Sequence, residues 1–438
     1  MRGLVPHSLC CPSRAVLLRT SPRAVSDSDS VSASDSASVG APVTVLFSYA
    51  FRPLFLLATL YAILVVPLWV AAWLGYLPFP AMLGTPSWWH AHEMIFGFAG
   101  AAIGGFALTA VATWTKRPPV SGVPLMILSA LWLLARVLFA MPSSSLLAPA
   151  IIADLGYGVL LFVLMSREVI GARSQRNYKV LLILGLLAVC NALFFFGTMR
   201  SAGWTISALL AGLWLIVMLI NLIGGRIIPG FTRNWLTRPA VGPQQQPVTL
   251  PPAFDRFDLL ATWLLVAFAV LHVVEAPSRW TAILGLLTSV VTFIRLTRWQ
   301  GVHTGGEPLV WVLHVAFSWI PVGILLLTFA EVGLLPQTAG IHALTSGAIT
   351  TMVIAVASRA ALGHTSRPLE SHPVLTAAYL LITVAAVCRV AATIGPGARV
   401  LLMASAVAWC LGFVCFAWRY APILTQPRVQ RVGSLPTV

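Results

Sequence analysis

Charged residues are what this sequence has least of. They make up 9% of 438 residues, against 58% hydrophobic, whereas a soluble domain carries charge on about a quarter of its residues. That scarcity excludes an ordinary water-soluble fold. Acid is scarcer than base, 12 Asp and Glu against 27 Lys and Arg, for a net charge of +15. In a soluble chain this balance points to nucleic acid. Here the basic residues fall in short connections between apolar segments and form no patch, so the expected partner is a lipid bilayer and no nucleic acid. Cysteine is sparse too: Cys10 and Cys11 lie in the leading tail, Cys190, Cys388, Cys410 and Cys415 lie in apolar segments, and no Cys-x-x-Cys spacing occurs. Thiolate metal and dithiol redox motifs are thereby excluded, and the four are read as small buried hydrophobes.

What is there is a polytopic, all-α membrane protein. Twelve apolar segments reach the length a helix needs to cross about 30 Å of hydrocarbon. Their expected spans are about 54–75, 90–114, 123–140, 146–166, 178–199, 203–224, 257–275, 279–298, 308–330, 339–362, 373–394 and 397–420. Short loops rich in Lys and Arg stay cytoplasmic. Connections after even-numbered segments hold Lys116, Arg117, Arg167, Arg173, Arg176, Lys179, Arg226, Arg233, Arg238, Arg256, Arg295, Arg298, Arg359 and Arg367. Those after odd-numbered segments hold only Arg200, Arg279 and Arg399. The asymmetry puts both termini in the cytoplasm.

Residues 1–43 differ from the rest, with four arginines before Ser26 and then a run of Ser, Asp and Ala. Such a stretch cannot bury a core, and it is expected to be a disordered extension or a misplaced start, not a signal peptide. The transmembrane domain is expected over 44–424, with a short cytoplasmic tail at 425–438. The largest connection, Gly224 to Phe257, is rich in Pro and Gln and is expected to be a cytoplasmic linker over 225–256.

The second and tenth segments repeat one another. Laid together without a gap, His92 meets His342, Gly97 meets Gly347, Ala107 meets Ala357, Ala110 meets Ala360, Thr115 meets Thr365, Arg117 meets Arg367 and Pro118 meets Pro368. Halfway between, the sixth segment carries Leu209 in place of the histidine and ends Phe231-Thr232-Arg233-Asn234. Three four-helix units are the internal plan this suggests.

An ionisable side chain in hydrocarbon is costly and is a functional candidate by default. His90, His92 and His342 begin segments at the outer level, and His272 sits near the outer end of the seventh. His314 and His364 lie toward the inner level, with His303 and His372 in adjoining loops. Two imidazoles on facing helices suit a haem, and further imidazoles beside it suit copper. His92 and His342 are the candidate axial pair; His90, His272, His314 and His364 are further metal candidates. Buried hydrogen-bonded or substrate-contacting histidines are the alternative. His90 and His92, two apart, point to different faces and cannot share one metal. Glu93 either answers the helix dipole or orients a ligand imidazole. Gly97, Gly100, Gly104 and Gly105 either permit close helix packing or leave room for a flat macrocycle. Arg136 and Arg389, at matching places in the third and eleventh segments, either neutralise haem propionates or snorkel to the interface.

Phe51-Arg52-Pro53, Trp89-His90-Ala91-His92-Glu93-Met94, Gly225-Arg226-Ile227-Ile228-Pro229, Phe231-Thr232-Arg233-Asn234, His342-Ala343 through Arg359, and Gly363-His364-Thr365 resemble the NnrS family over about 50–420. The resemblance implies a twelve-helix protein of the bacterial inner membrane containing haem and copper, linked to denitrification and to protection from nitric oxide and nitrosative stress. Its motifs fall on His90, His92, Glu93, Arg226, His342, Arg359 and His364. Where the pattern has glycine after Gly-His-Thr this chain has Ser366, and Ala112-Thr113-Trp114-Thr115 stands where it has Pro-Asn-Trp-Thr. The architecture also resembles that of haem–copper oxidases, without their adjacent histidines on the seventh helix. The first reading is therefore a haem- and copper-binding protein that senses, binds or detoxifies nitric oxide or an iron-nitrosyl complex. The second is a transporter of a small metabolite or metal complex, and a third is a membrane scaffold.

Overall fold

The computed structural model describes residues 42–77, 83–141, 143–238 and 249–429. Twelve helices in it are long and apolar enough to cross a membrane: α1 Phe51–Trp73, α2 Pro86–Thr115, α3 Val123–Ala140, α4 Ser144–Gly171, α5 Gln175–Arg200, α6 Ala202–Leu236, α7 Arg256–Val273, α8 Ser278–Thr297, α9 Pro308–Glu331, α10 Gln337–His364, α11 Pro373–Ile394 and α12 Ala398–Thr425. The described residues contain no strand. Most of the leading tail, the Gln-rich stretch 239–248 and residues 430–438 lie outside the described residues.

Local sequence starts and stops these helices. Proline stands in the first turn of the Pro86–His92 stretch and of α3, α9 and α11, where a missing N–H costs nothing. Asp255 caps α7 through a reciprocal capping box with Asp258. The greatest departure from expectation is α6. It continues through Gly225 and Pro229 to Leu236, so the first twelve residues of the expected linker are helix. Glycine is needed at 225 because a Cβ there would strike the Arg295 guanidinium of α8.

Burial sorts the helices. In α2, α6 and α10, 78%, 67% and 72% of the apolar stretch is buried inside the bundle, against 28% in α4. These three helices touch pairwise at the centre. They are the second member of each successive group of four, as three four-helix units require. A cavity of about 70 Å³ lies among them and α1, lined by apolar side chains such as Phe55, Ile103, Ile220 and Met352. The ring of helices closes between α12 and α1, where the Trp409 indole N–H donates to the Ala62 carbonyl at 2.9 Å.

The repeat between α2 and α10 is structural as well as sequential. Each opens with a short α-helical piece ending at histidine, Pro86–His92 and Gln337–His342. Each then widens into a π-helix, Glu93–Phe98 and Ala343–Ile349. π-Helical turns are rare and concentrate at functional sites. Each copy leaves its helix through a left-handed residue, Lys116 at φ 56° and Ser366 at φ 59°. Gly97 and Gly347 sit inside the π segments because a Cβ would strike the Arg136 guanidinium in one copy and the Trp319 indole in the other.

Candidate functional site

Two different sites form where α2 and α10 begin, and the two histidines of α2 are divided between them. His92 faces α3, α4 and α5 and is completely enclosed. Its Nδ1 lies 3.0 Å from Glu93 Oε1, and its Nε2 lies 3.0 Å from Asn191 Oδ1 and 3.2 Å from Asp154 Oδ2. Acceptors on both sides of the ring are satisfied by two N–H donors, which leaves no lone pair for a metal. Phe139, Phe194 and Phe195 close around the imidazole.

Arg136 completes this cluster. It donates to Glu93 Oε1 at 3.0 Å and to Asp154. Asn191 donates to Asp154 Oδ2 at 2.6 Å, and the Tyr61 hydroxyl donates to Glu93. Two carboxylates thus face two cations with almost every polar atom bonded, the condition under which buried charge is tolerated. Neighbouring helices also tend the backbone of the widened turn: Trp132 Nε1 donates to the Gly97 carbonyl at 2.9 Å and the Tyr157 hydroxyl to that of Gly100 at 2.8 Å. Arg136 is therefore committed to internal ion pairs, not to propionates. The glycine strip is filled, because a Cβ at Gly104 would strike the Tyr157 hydroxyl and one at Gly105 would meet Phe55. It serves close packing and leaves no slot for a macrocycle.

At the second place, His342 comes near His90. The two imidazoles and the Arg389 guanidinium lie within electrostatic reach of one another. His90 stacks on Trp69, with ring centroids 4.4 Å apart and planes 8° apart, and its buried Nδ1 has no hydrogen-bond partner. His342 Nδ1 lies 2.7 Å from the Thr338 carbonyl. A carbonyl only accepts, so Nδ1 carries the proton and Nε2 presents a lone pair, the tautomer of a metal-ligating histidine. Both rings are half-buried, unlike that of His92. No carboxylate forms an ion pair with Arg389 among the described residues.

The other candidates are dispersed. His272 accepts from Trp214 Nε1 at 3.2 Å and meets Gln337 at 3.1 Å, so both its nitrogens are engaged. His314 bonds the Thr232 hydroxyl at 2.8 Å. His364 packs against the rings of Tyr49 and Phe51. Arg359 lies over the Phe231 ring at 3.8 Å, and Arg226 stands near Arg176. Among the described residues no three His, Cys, Asp or Glu side chains converge as a metal ligand set. The sequence reading passed over Asp154, Asn191 and Tyr61, although an acid in mid-segment is itself a signal. Arg295, expected in a cytoplasmic connection, lies buried inside α8 and binds Asp258 at 2.6 Å and Asn221 at 2.5 Å.

Among the described residues, nine membrane-length helices around a central trio, with buried ion pairs and with His90 and His342 near one another at one end, define a multi-pass helical membrane protein. The family model described as NnrS protein matches residues 45–428. The chain belongs to the NnrS family. Comparison with curated proteins found no match.

Proposed function

We propose that this chain holds a haem through His90 and His342 in the bacterial inner membrane and acts there in the response to nitric oxide, protecting against nitrosative stress during denitrification. One observation carries the reading: a buried His90 Nδ1 without a partner and a His342 Nε2 held as a bare lone pair, brought together beside an unpaired Arg389. A haem bound there would supply redox chemistry at iron, and would take a diatomic ligand only in place of one of the two imidazoles. The chain's own residues do the positioning. Trp69 holds the His90 ring flat, Thr338 sets the His342 tautomer, and Arg389 neutralises a propionate. Membership of the NnrS family supports the link to nitric oxide.

His90, not His92, would hold the group together with His342, because both His92 nitrogens are engaged in the ion cluster. Copper fits less well: no third ligand converges, and His272 has no free nitrogen. The central cavity is apolar, which does not favour a path for a polar metabolite.

The test is the visible spectrum of detergent-purified protein from haem-replete cells, with iron and copper measured on the same samples. A Soret band lost in His90→Ala and His342→Ala but kept in Arg200→Gln is expected. A colourless wild type overturns the reading.

A further inference from the structure

At the end of the bundle away from His90, cationic side chains gather that, among the described residues, form no ion pair with a carboxylate. Arg52, 4% exposed, caps α12 by donating through Nη1 to the carbonyls of Leu424 at 2.8 Å and Gln426 at 2.7 Å. Arg52 lies within electrostatic reach of Arg367, and Arg367 of Arg419. Arg428 is near both His364 and Tyr49, and its Nε donates to the Ser366 hydroxyl at 2.6 Å. Arg367 Nη2 reaches Gln426 Oε1 at 3.2 Å, but its Nη1 is buried with no partner.

The internal repeat supplies the control. Arg117, which matches Arg367, binds Glu168 at 2.7 Å. Among the described residues none of Arg52, Arg367, Arg419 or Arg428 has an ion pair. Like charges partly withdrawn from water require a counter-anion. Arg428, held next to Arg367 through Ser366, and Arg419, within electrostatic reach of Arg367, stand beside the unpartnered Arg367 Nη1, and guanidinium forks suit phosphate oxygens. Trp418, beside Arg419, is 80% exposed, which suits a ring at headgroup level. The distribution of basic residues assigns this end to the cytoplasmic leaflet, where basic pockets between helices meet acidic lipids.

We propose that Arg367, Arg419 and Arg428 form a phosphate site that takes the headgroup of an acidic phospholipid. It is independent of any metal at the other end of the bundle.

The test is the thermal unfolding midpoint of the full chain in neutral detergent, with phosphatidylglycerol, with phosphatidylcholine at the same mole fraction, or with inorganic phosphate. Phosphatidylglycerol is expected to raise the midpoint by several degrees over phosphatidylcholine, as a ligand of the native state does. Arg428→Gln, at an exposed position, and the double variant with Arg367→Gln should lose most of that rise. Arg399→Gln, bonded to Tyr76 at the other end, should keep it. An equal rise with inorganic phosphate, lost in the same variants, retains the site and makes a soluble phosphate its source. No rise with either anion, a rise that the variants keep, or one that Arg399→Gln also loses overturns the proposal.

Discussion

His92 and His342 stand at the same point of one repeated unit, each the last residue before a π-helical segment, yet they face different parts of the protein. His92 turns into an ion cluster between α2, α3, α4 and α5; His342 turns toward His90 and Arg389. The divergence commits His92 to structural charge pairing and leaves His342 as the one of the pair that the proposed function uses.

Removing one member of the His92 cluster leaves a buried charge without its partner. Arg136→Met is expected to destabilise the protein by about 3–5 kcal/mol, whereas Tyr61→Phe, which removes one hydroxyl from Glu93, should cost about 1–2 kcal/mol. Urea unfolding in mixed micelles, followed by tryptophan fluorescence, gives both values. Equal losses would show that Arg136 is not the electrostatic centre of the cluster.

The two histidines of α2 should separate in measurement. His92→Ala is expected to lower the unfolding midpoint strongly, because Glu93, Asn191 and Asp154 lose a shared donor. In haem-free protein His90→Ala should lower the midpoint much less than His92→Ala, since it removes a stack on Trp69 but no hydrogen bond from Nδ1, and in haem-replete protein it should act on the spectrum.

The π segments impose a steric demand that alanine scanning can read. Gly97→Ala and Gly347→Ala force a methyl against Arg136 and Trp319 and should each cost about 1–3 kcal/mol. Gly100→Ala meets nothing closer than the Tyr157 ring at 3.9 Å and should be neutral or slightly stabilising. A neutral Gly97→Ala would mean that the guanidinium is free to move.

Acid should loosen the start of α7. The Arg298 hydrogen bond first, then the Asp258 backbone N–H, hold the Asp255 carboxyl well below the usual carboxylate range. A depressed folded value contributes stability that is complete above the unfolded value of about 3.9 and is lost as pH falls toward the folded one. Protection of the Phe257 and Asp258 amides, both bonded to Asp255 Oδ1, should therefore be level from neutrality to about pH 5 and fall below about pH 4. Asp255→Asn should remove that acid dependence.

Ser366 bears on how much of the chain could be read in advance. The family pattern has glycine there, and the left-handed backbone explains why, since a side chain in that region costs about 1 kcal/mol or more. Serine recovers a contact by binding Arg428 at 2.6 Å. Ser366→Gly should relax the backbone yet release the segment after Thr425, measured as faster tryptic cleavage at Arg428. Unchanged cleavage would show that Pro427 and the Val429 bond to the Thr365 carbonyl suffice.

The legible features were those written in local periodicity. All twelve spans emerged from apolar length, and the ends of α3 and α11 fell where Pro and Gly place them. The end of α6 did not, because Gly-Gly and Pro read as a stop while the reason the helix continues, Arg295 packed on Gly225, lies in another helix. The division of His90 from His92 followed from their spacing alone. Which of the two lies near His342 did not, since it depends on Asp154 and Asn191, whose common partner is set only where three helices converge on one imidazole.

The Arg52 cap has a consequence for synthesis. Its acceptors lie 372 and 374 residues further along the chain, so the first helix crosses the membrane while its final partner has yet to be translated. Until α12 arrives, Arg52 has no carbonyl cap and the Ala62 carbonyl lacks the Trp409 donor. The last helix therefore acts as a latch for the whole ring. Nascent chains truncated before Ala398 should persist as open bundles, exposed to membrane proteases however well their central trio has packed.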